Sequence, residues 1–176
     1  MLTIRLARSD DEPAIAALMA LAIEQLQQGY LTSEQIEASK AGMGLDRQLI
    51  EDSTYFCVED DGELAGCGGW SRRATLYGGS HSAGRDARLL DPATERARIR
   101  AMYTHPAHVR KGVGRLIIDT AEKAARADGF GAIEMAATMA GKPFYLRCGY
   151  VVEAEWEDAN GEVPVPLATM AKTLQE

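Results

Sequence analysis

The chain is poor in the residues that mark several classes of protein. It has three cysteines and three histidines among 176 residues. Cys57, Cys67 and Cys148 are odd in number and none is spaced as Cys-x-x-Cys, which speaks against a disulfide framework and fits reduced, mostly buried thiols in a cytoplasmic protein. His81, His105 and His108 do not combine with them into a metal-ligand spacing, so no metal is expected. Basic charge is also short: 19 Lys and Arg face 26 Asp and Glu, a net charge of −7. A nucleic-acid partner would call for the opposite balance. No segment approaches the roughly 20 apolar residues of a membrane span. The opening Met1-Leu2-Thr3-Ile4-Arg5 is too short an apolar run for a signal peptide, so no membrane partner is expected. Repeats and low-complexity segments are missing too.

What remains is the composition of a globular protein, 46% hydrophobic and 26% charged. The length fits one domain, residues 1–176, able to fold without metal or disulfide. Leu2 to Leu6 alternates as a strand. Ser9-Asp10-Asp11-Glu12-Pro13 starts a helix, whose apolar stripe Ile15, Leu18, Met19, Ala22, Ile23 and Leu26 runs to Gly29. A second helix starts at Ser33, and another turn or two follows over Leu45 to Ile50. Thr54 to Glu59 and Glu63 to Trp70 form a hairpin around Asp60-Asp61-Gly62. Three glycines in its second strand point to close backbone packing or a bulge. Residues 71–95 show no period and form an elaborated loop, either functional or a surface excursion. Arg96 to Thr104 reads as a strand with Ile99, Ala101 and Tyr103 on one face and Arg98, Arg100 and Met102 on the other. A helix from Gly112 to Asp128, a strand over Ala132 to Ala136, a short helix over Lys142 to Cys148 and strands over Val151 to Trp156 and Val163 to Met170 complete the chain. The order mixes hairpins with crossovers, which implies a mixed sheet with helices on both faces.

The most informative stretch is Tyr103-Thr104-His105-Pro106-Ala107-His108-Val109-Arg110-Lys111-Gly112-Val113-Gly114-Arg115. A strand passes into a loop with two glycines and a helix starts at once. The first amides of a helix lack internal partners and carry partial positive charge. Glycine lets a diphosphate approach the backbone, and Arg110, Lys111 and Arg115 add charge. The same residues also fit a helix start with solvated basic side chains, and the loop by itself does not decide. It is neither a Walker A loop, which needs Gly-Lys-Ser/Thr, nor a Rossmann fingerprint, because Ile117 stands at the third glycine position.

This stretch resembles motif A of the GNAT superfamily, Gln/Arg-x-x-Gly-x-Gly/Ala after a strand ending in Val/Thr-x-Pro. Gly112 and Gly114 match the small residues, and Thr104-His105-Pro106 matches the strand exit. Val109 departs from the usual Gln or Arg, and Arg110 is placed to replace it. Residues 6–18 are similar to the family's opening strand and first helix, and Lys142-Pro143-Phe144-Tyr145-Leu146-Arg147-Cys148-Gly149-Tyr150 is similar to its motif B. The resemblance spans nearly the whole chain. It implies an α/β (mixed α+β) GNAT fold, with a mostly antiparallel sheet splayed after the fourth strand.

The resemblance also implies an N-acetyltransferase that moves acetyl from acetyl-CoA, its co-substrate, directly to a primary amine of a small molecule or peptide. Pantetheine would pair with Met102, Tyr103 and Thr104. The pyrophosphate would sit on Val109, Arg110, Lys111, Gly112, Val113, Gly114 and Arg115. Tyr145 takes the position of the acid that protonates the thiolate, or it is a core aromatic beside Phe144. The family's frequent glutamate base has no counterpart, because Arg98 stands there. Water, Glu95, Glu24, Tyr30 and His81 remain open for that role. His105 and His108 shape the loop. Arg98 and Arg100 would suit a carboxylate-bearing acceptor if they face the cleft, and otherwise reach solvent. The departures at Val109 and Arg98 leave a second reading, a non-catalytic acyl-CoA sensor of the same fold. Family analogy and the apolar last strands suggest a homodimer.

Overall fold

The computed structural model describes residues 1–174. Its frame is one seven-stranded sheet in the order β1-β2-β3-β4-β5-β7-β6. These strands are β1 (Leu2–Leu6), β2 (Tyr55–Asp60), β3 (Glu63–Ser71), β4 (Ala97–Thr104), β5 (Ala132–Thr138), β6 (Val151–Asp158) and β7 (Val165–Thr173). Every neighbouring pair is antiparallel except β4 and β5. The helices are α1 (Glu12–Leu26), α2 (Ser33–Ser39), α3 (Arg47–Glu51), α4 (Val113–Ala127) and α5 (Lys142–Arg147). The strand and helix order expected from the sequence is present, and β5, β6 and β7 run two or three residues further than their apolar patterns indicate.

Local chemistry explains the ends. Pro13 occupies the first turn of α1, where its missing N–H costs nothing. Thr32 and Gln35 cap the start of α2 reciprocally, through Gln35 N to Thr32 Oγ1 at 3.1 Å and Thr32 N to Gln35 Oε1 at 2.9 Å. Asp46 accepts from Gln48 N at 3.1 Å at the start of α3.

The two long helices cover opposite faces of the central strands. Ile15, Leu18, Met19, Ala22 and Ile23 of α1 pack with Tyr55, Cys57, Cys67 and Tyr103. Val113 and Ile117 of α4 pack with Val58 and Ala65. Ile118, Ala121 and Ala125 of the same helix pack with Ile99, Phe130, Ile133 and Met135. Burying each such isoleucine stabilises the fold by about 1.5–3 kcal/mol.

The glycines of β3 are where α4 and β2 come closest. A Cβ on Gly66 would strike Val113, and one on Gly68 would lie 2.9 Å from Ile117 and 2.8 Å from Met102. The strand also bulges between Cys67 and Gly69. Both readings of the glycine-rich strand therefore hold.

The strand-face expectation for β4 is corrected. Ala101 adopts φ 49° at the bulge, and this extra residue interrupts the alternation. Ile99 and Met102 consequently lie on the α4 side. Arg100 and Tyr103 lie on the α1 side, where Arg100 meets Asp46 and Tyr103 accepts from Gly44 N at 3.1 Å. The carbonyl of Ala101 accepts from Tyr55 Oη at 2.6 Å, so the bulge does not strand it.

Residues 71–95 are an anchored flap. Arg73 binds Asp52 at 2.7 and 3.0 Å. Gly79 N donates to Gly42 O and Ser80 N to Leu45 O, each at 2.8 Å. Tyr77 packs edge-on against Trp156 of β6, with ring centroids 6.1 Å apart.

A substitution at Gly69 probes the tightest of these approaches. A Cβ there would fall on the carbonyl oxygen of Thr54 and 2.9 Å from Tyr55 Cα. Both are backbone atoms, at the start of β2 and just before it, and cannot swing aside. Gly69→Ala should lower unfolding stability by about 1–3 kcal/mol in a urea titration, and an unchanged midpoint would show that the hairpin can relax.

Candidate active site

The parallel pairing of β4 with β5 involves only Ala97 with Ile133 and Arg98 with Glu134. Beyond Arg98 the two strands part, and a cleft of about 550 Å³ opens between them. One mouth is formed by the loop before α4, the other by α1, the segment after α2 and the 71–95 flap.

At the first mouth, Arg110 has φ 61° and Gly112 has φ 89°. Two left-handed residues in so short a run curl the backbone into a concave nest of amides. Among the described residues, the first amide after His108 with a backbone acceptor is that of Leu116, 3.0 Å from Gly112 O. The amides before it are free for an anion. A Cβ on Gly112 would meet only open space. Gly114 serves packing as well, since a Cβ there would lie 3.0 Å from Phe144. Val109, Arg110, Gly112, Val113, Gly114 and Arg115 line the cleft, as do Met102, Tyr103 and Thr104. Lys111 does not; its ammonium lies 4.0 Å from Asp60. Arg147 also lines this mouth, with its carbonyl 3.4 Å from Arg115 Nη2. The sequence reading missed Arg147, although it sits two residues beyond Tyr145 in the short α5.

Tyr145 lines the cleft. Its ring rests against Phe144 and Tyr150, with centroids at 5.4 and 6.2 Å. Tyr150 is pinned by its hydroxyl, which donates to buried Glu122 at 2.8 Å, and Lys172 donates to the same carboxylate at 2.9 Å. No hydrogen bond among the described residues uses the Tyr145 hydroxyl. Burial pushes its pKa well above that of an ordinary phenol, so the proton stays on at neutral pH.

At the second mouth, Ile23, Leu26, Met43 and Leu76 give apolar walls, with Tyr30, Tyr77, Gln27 and Arg100 among them. Arg100 is 4% exposed. It is held by Asp46 at 3.2 Å, by Thr75 O at 3.4 Å and by Gly78 O. Gln27 donates through Nε2 to Ile23 O at 3.2 Å and Ser39 Oγ at 3.0 Å, and its Oε1 is buried without a partner.

The base candidates separate. Tyr30 alone of them lines the cleft. Arg98 pairs with Glu134 at 2.6 Å, and Glu24 pairs with Lys40 at 3.1 Å. His81 Nε2 lies 2.9 Å from Lys40 O. Glu95 is gripped by Arg88 at 2.9 Å, and that guanidinium holds its pKa at about 2. No carboxylate is among the described residues that line the cleft. No group of His, Cys, Asp and Glu among the described residues could hold a metal ion.

The family model for the acetyltransferase (GNAT) family matches residues 15–150. The chain belongs to the GNAT acetyltransferase family. No curated protein matches it. Among solved structures it is similar to a GCN5-related N-acetyltransferase from Rhodopseudomonas palustris, at 24% identity and TM-score 0.74, covering 98% of this chain and 95% of that one. It is also similar to the PaiA N-acetyltransferase of Thermoplasma acidophilum in complex with coenzyme A, at 15% identity and TM-score 0.67, covering 98% and 99%. A third is YncA of Salmonella typhimurium with acetyl-CoA, at 19% identity and TM-score 0.63, covering 100% and 95%. At these identities the neighbours establish the GNAT fold, with its mixed, mostly antiparallel sheet, and no more.

No cysteine of this acetyltransferase lines the cleft. Burial raises the pKa of Cys57 to about 11 and of Cys67 to about 12, and raises that of Cys148 too. At pH 8 the native protein should react with an aromatic disulfide reagent at least about 100-fold more slowly than a free thiol, with all three sites opening in denaturant. A fast native phase would place a thiol at the surface.

Proposed function

We propose that the protein transfers an acetyl group from acetyl-CoA to a primary amine of a small molecule or peptide. The observation that carries this reading is the single cleft joining the amide nest before α4 to Tyr145 and to a second mouth. The nest, Arg110 and Arg115 would hold the pyrophosphate. The edge of β4 that leaves β5 would pair with pantetheine through Met102, Tyr103 and Thr104, whose backbone groups there have no strand partner. Lys111 would contribute at longer range.

The acceptor enters from the second mouth and attacks the thioester directly. A cleft with no carboxylate among its described lining residues, walled by apolar groups and Arg100, disfavours an ammonium ion. The amine therefore arrives neutral, its proton left in solvent. The Tyr145 hydroxyl donates to the departing thiolate. The same desolvation that holds the phenol proton also makes the thiolate more basic, so the transfer is not blocked by a raised phenol pKa. A homodimer finds support in the exposed Val151 and Val152 of edge strand β6, and opposition in Glu153, Glu155 and Glu157 on the same strand.

Donor binding is tested at Gly112. Gly112→Glu brings charge to the pyrophosphate position and should abolish acetyl-CoA binding by calorimetry. Gly112→Asn, which tolerates a left-handed backbone, controls for strain. Equal affinity in wild type and Gly112→Glu would refute the placement.

Tyr145→Phe keeps the ring and removes the hydroxyl. It should lower kcat at least about tenfold, while acetyl-CoA affinity stays within about threefold. An unchanged kcat in a variant that still binds acetyl-CoA would reduce Tyr145 to a core aromatic and favour water as the proton source.

A further inference from the structure

The guanidinium of Arg100 is buried at the acceptor end of the cleft with incomplete compensation. The only carboxylate within ion-pair distance of it, among the described residues, is Asp46 at 3.2 Å. Asp46 is shared: Arg85 Nη2 lies 2.9 Å from its other oxygen. Two guanidinium groups thus face one carboxylate, and the cluster carries one excess positive charge. Asp46 is 1% exposed and Arg100 4%, so water screens this charge poorly. Desolvation, with Arg85 as a second cation, acts to lower the pKa of Arg100, and Asp46 opposes it. Two of the five donors of Arg100 are hydrogen-bonded, to Thr75 O and Gly78 O, and its Nη1 also faces Asp46. No described residue engages its Nε. A structural tether for the flap would need only the contacts already made; the excess charge and spare donors exceed that need.

We propose that Arg100, poised by Asp46 and Arg85, is the subsite for a carboxylate on the acceptor, which makes the substrate an amino-acid-like amine. This rests on the N-acetyl-transfer reading and names its substrate class. Three features of the same mouth agree with it. Ile23, Leu26, Met43 and Leu76 offer an apolar wall for a side chain. Gln27 is fixed as an acceptor: its Nε2 faces the Ile23 carbonyl and Ser39 Oγ, whose own proton goes to Ile36 O at 2.6 Å. Its Oε1 is therefore a buried acceptor waiting for an N–H donor. Finally, no carboxylate is among the described cleft-lining residues, and Asp46 behind Arg100 is already neutralised by two guanidinium groups, so an anionic ligand is favoured there over a plain diamine or polyamine.

The test pairs L-leucine and L-phenylalanine with their α-carboxamides, which keep the side chain and the amine and lose the charge. Calorimetry on the wild-type protein loaded with coenzyme A reads binding, and thiol release from acetyl-CoA reads turnover. A charge-assisted hydrogen bond in a buried site predicts that each acid binds at least about tenfold more tightly than its amide, with the same preference in kcat/KM. Arg100→Gln leaves Asp46 its Arg85 partner and should shrink the preference to about twofold or less. Equal binding of acid and amide by the wild type, or no binding of any of the four at millimolar concentration, overturns the subsite whether or not the variant folds. Acids that bind in preference to amides without thiol release uphold the subsite and defeat the transfer reading. Acid and amide acetylated equally well uphold transfer and defeat the subsite.

Discussion

Strand β4 is hydrogen-bonded to β3 along most of its length and to β5 only at Ala97 and Arg98. That short parallel contact governs everything functional in the molecule. A sheet that closed fully here would have buried the backbone groups of Met102, Tyr103 and Thr104 in a ladder and left no space between the strands. Because β5 parts from β4 beyond Arg98 while its other edge stays paired with β7, a gap opens within the sheet. The amide nest opens on one side of it and the flap on the other. Tyr145 reaches the cleft because α5 follows β5 at once, and its ring is braced by Tyr150.

The bulge at Ala101 decides what lines that gap. One residue in a left-handed conformation rotates the faces of the strand, so that Arg100 and Tyr103 look toward α1 while Ile99 and Met102 look toward α4. Arg100 then becomes the hub for the flap. Its contacts with Asp46 and with the carbonyls of Thr75 and Gly78 tie together three segments that have no strand or helix in common. Burying a guanidinium is costly unless it is well partnered, and the extent of the flap's own ion pairs, Arg73 with Asp52 and Arg85 with Asp46, reflects how many charges must be kept in place there. The resulting environment is apolar and positively biased.

Short-range patterns in the sequence determined the element order and marked the glycine loop before α4, because turn formation and amphipathic spacing depend on residues within a few positions of one another. Gly112, Gly114 and Tyr145 could be singled out for the same reason: each belongs to a compact motif. The chain's acidity and its scarcity of cysteine and histidine likewise set the expectation of neither a nucleic-acid partner nor a metal without reference to any fold. Tertiary structure alone decided the strand faces of β4, since a bulge depends on the register of the neighbouring strand and leaves alternation in the sequence intact. It alone brought Asp46, Arg85 and Arg100 together from the loop before α3, the flap and the sheet. It alone turned Lys111 toward Asp60 while admitting Arg147 to the cleft. Charge pairing across such separations follows from which strands part and which pair, and that is a property of the whole sheet.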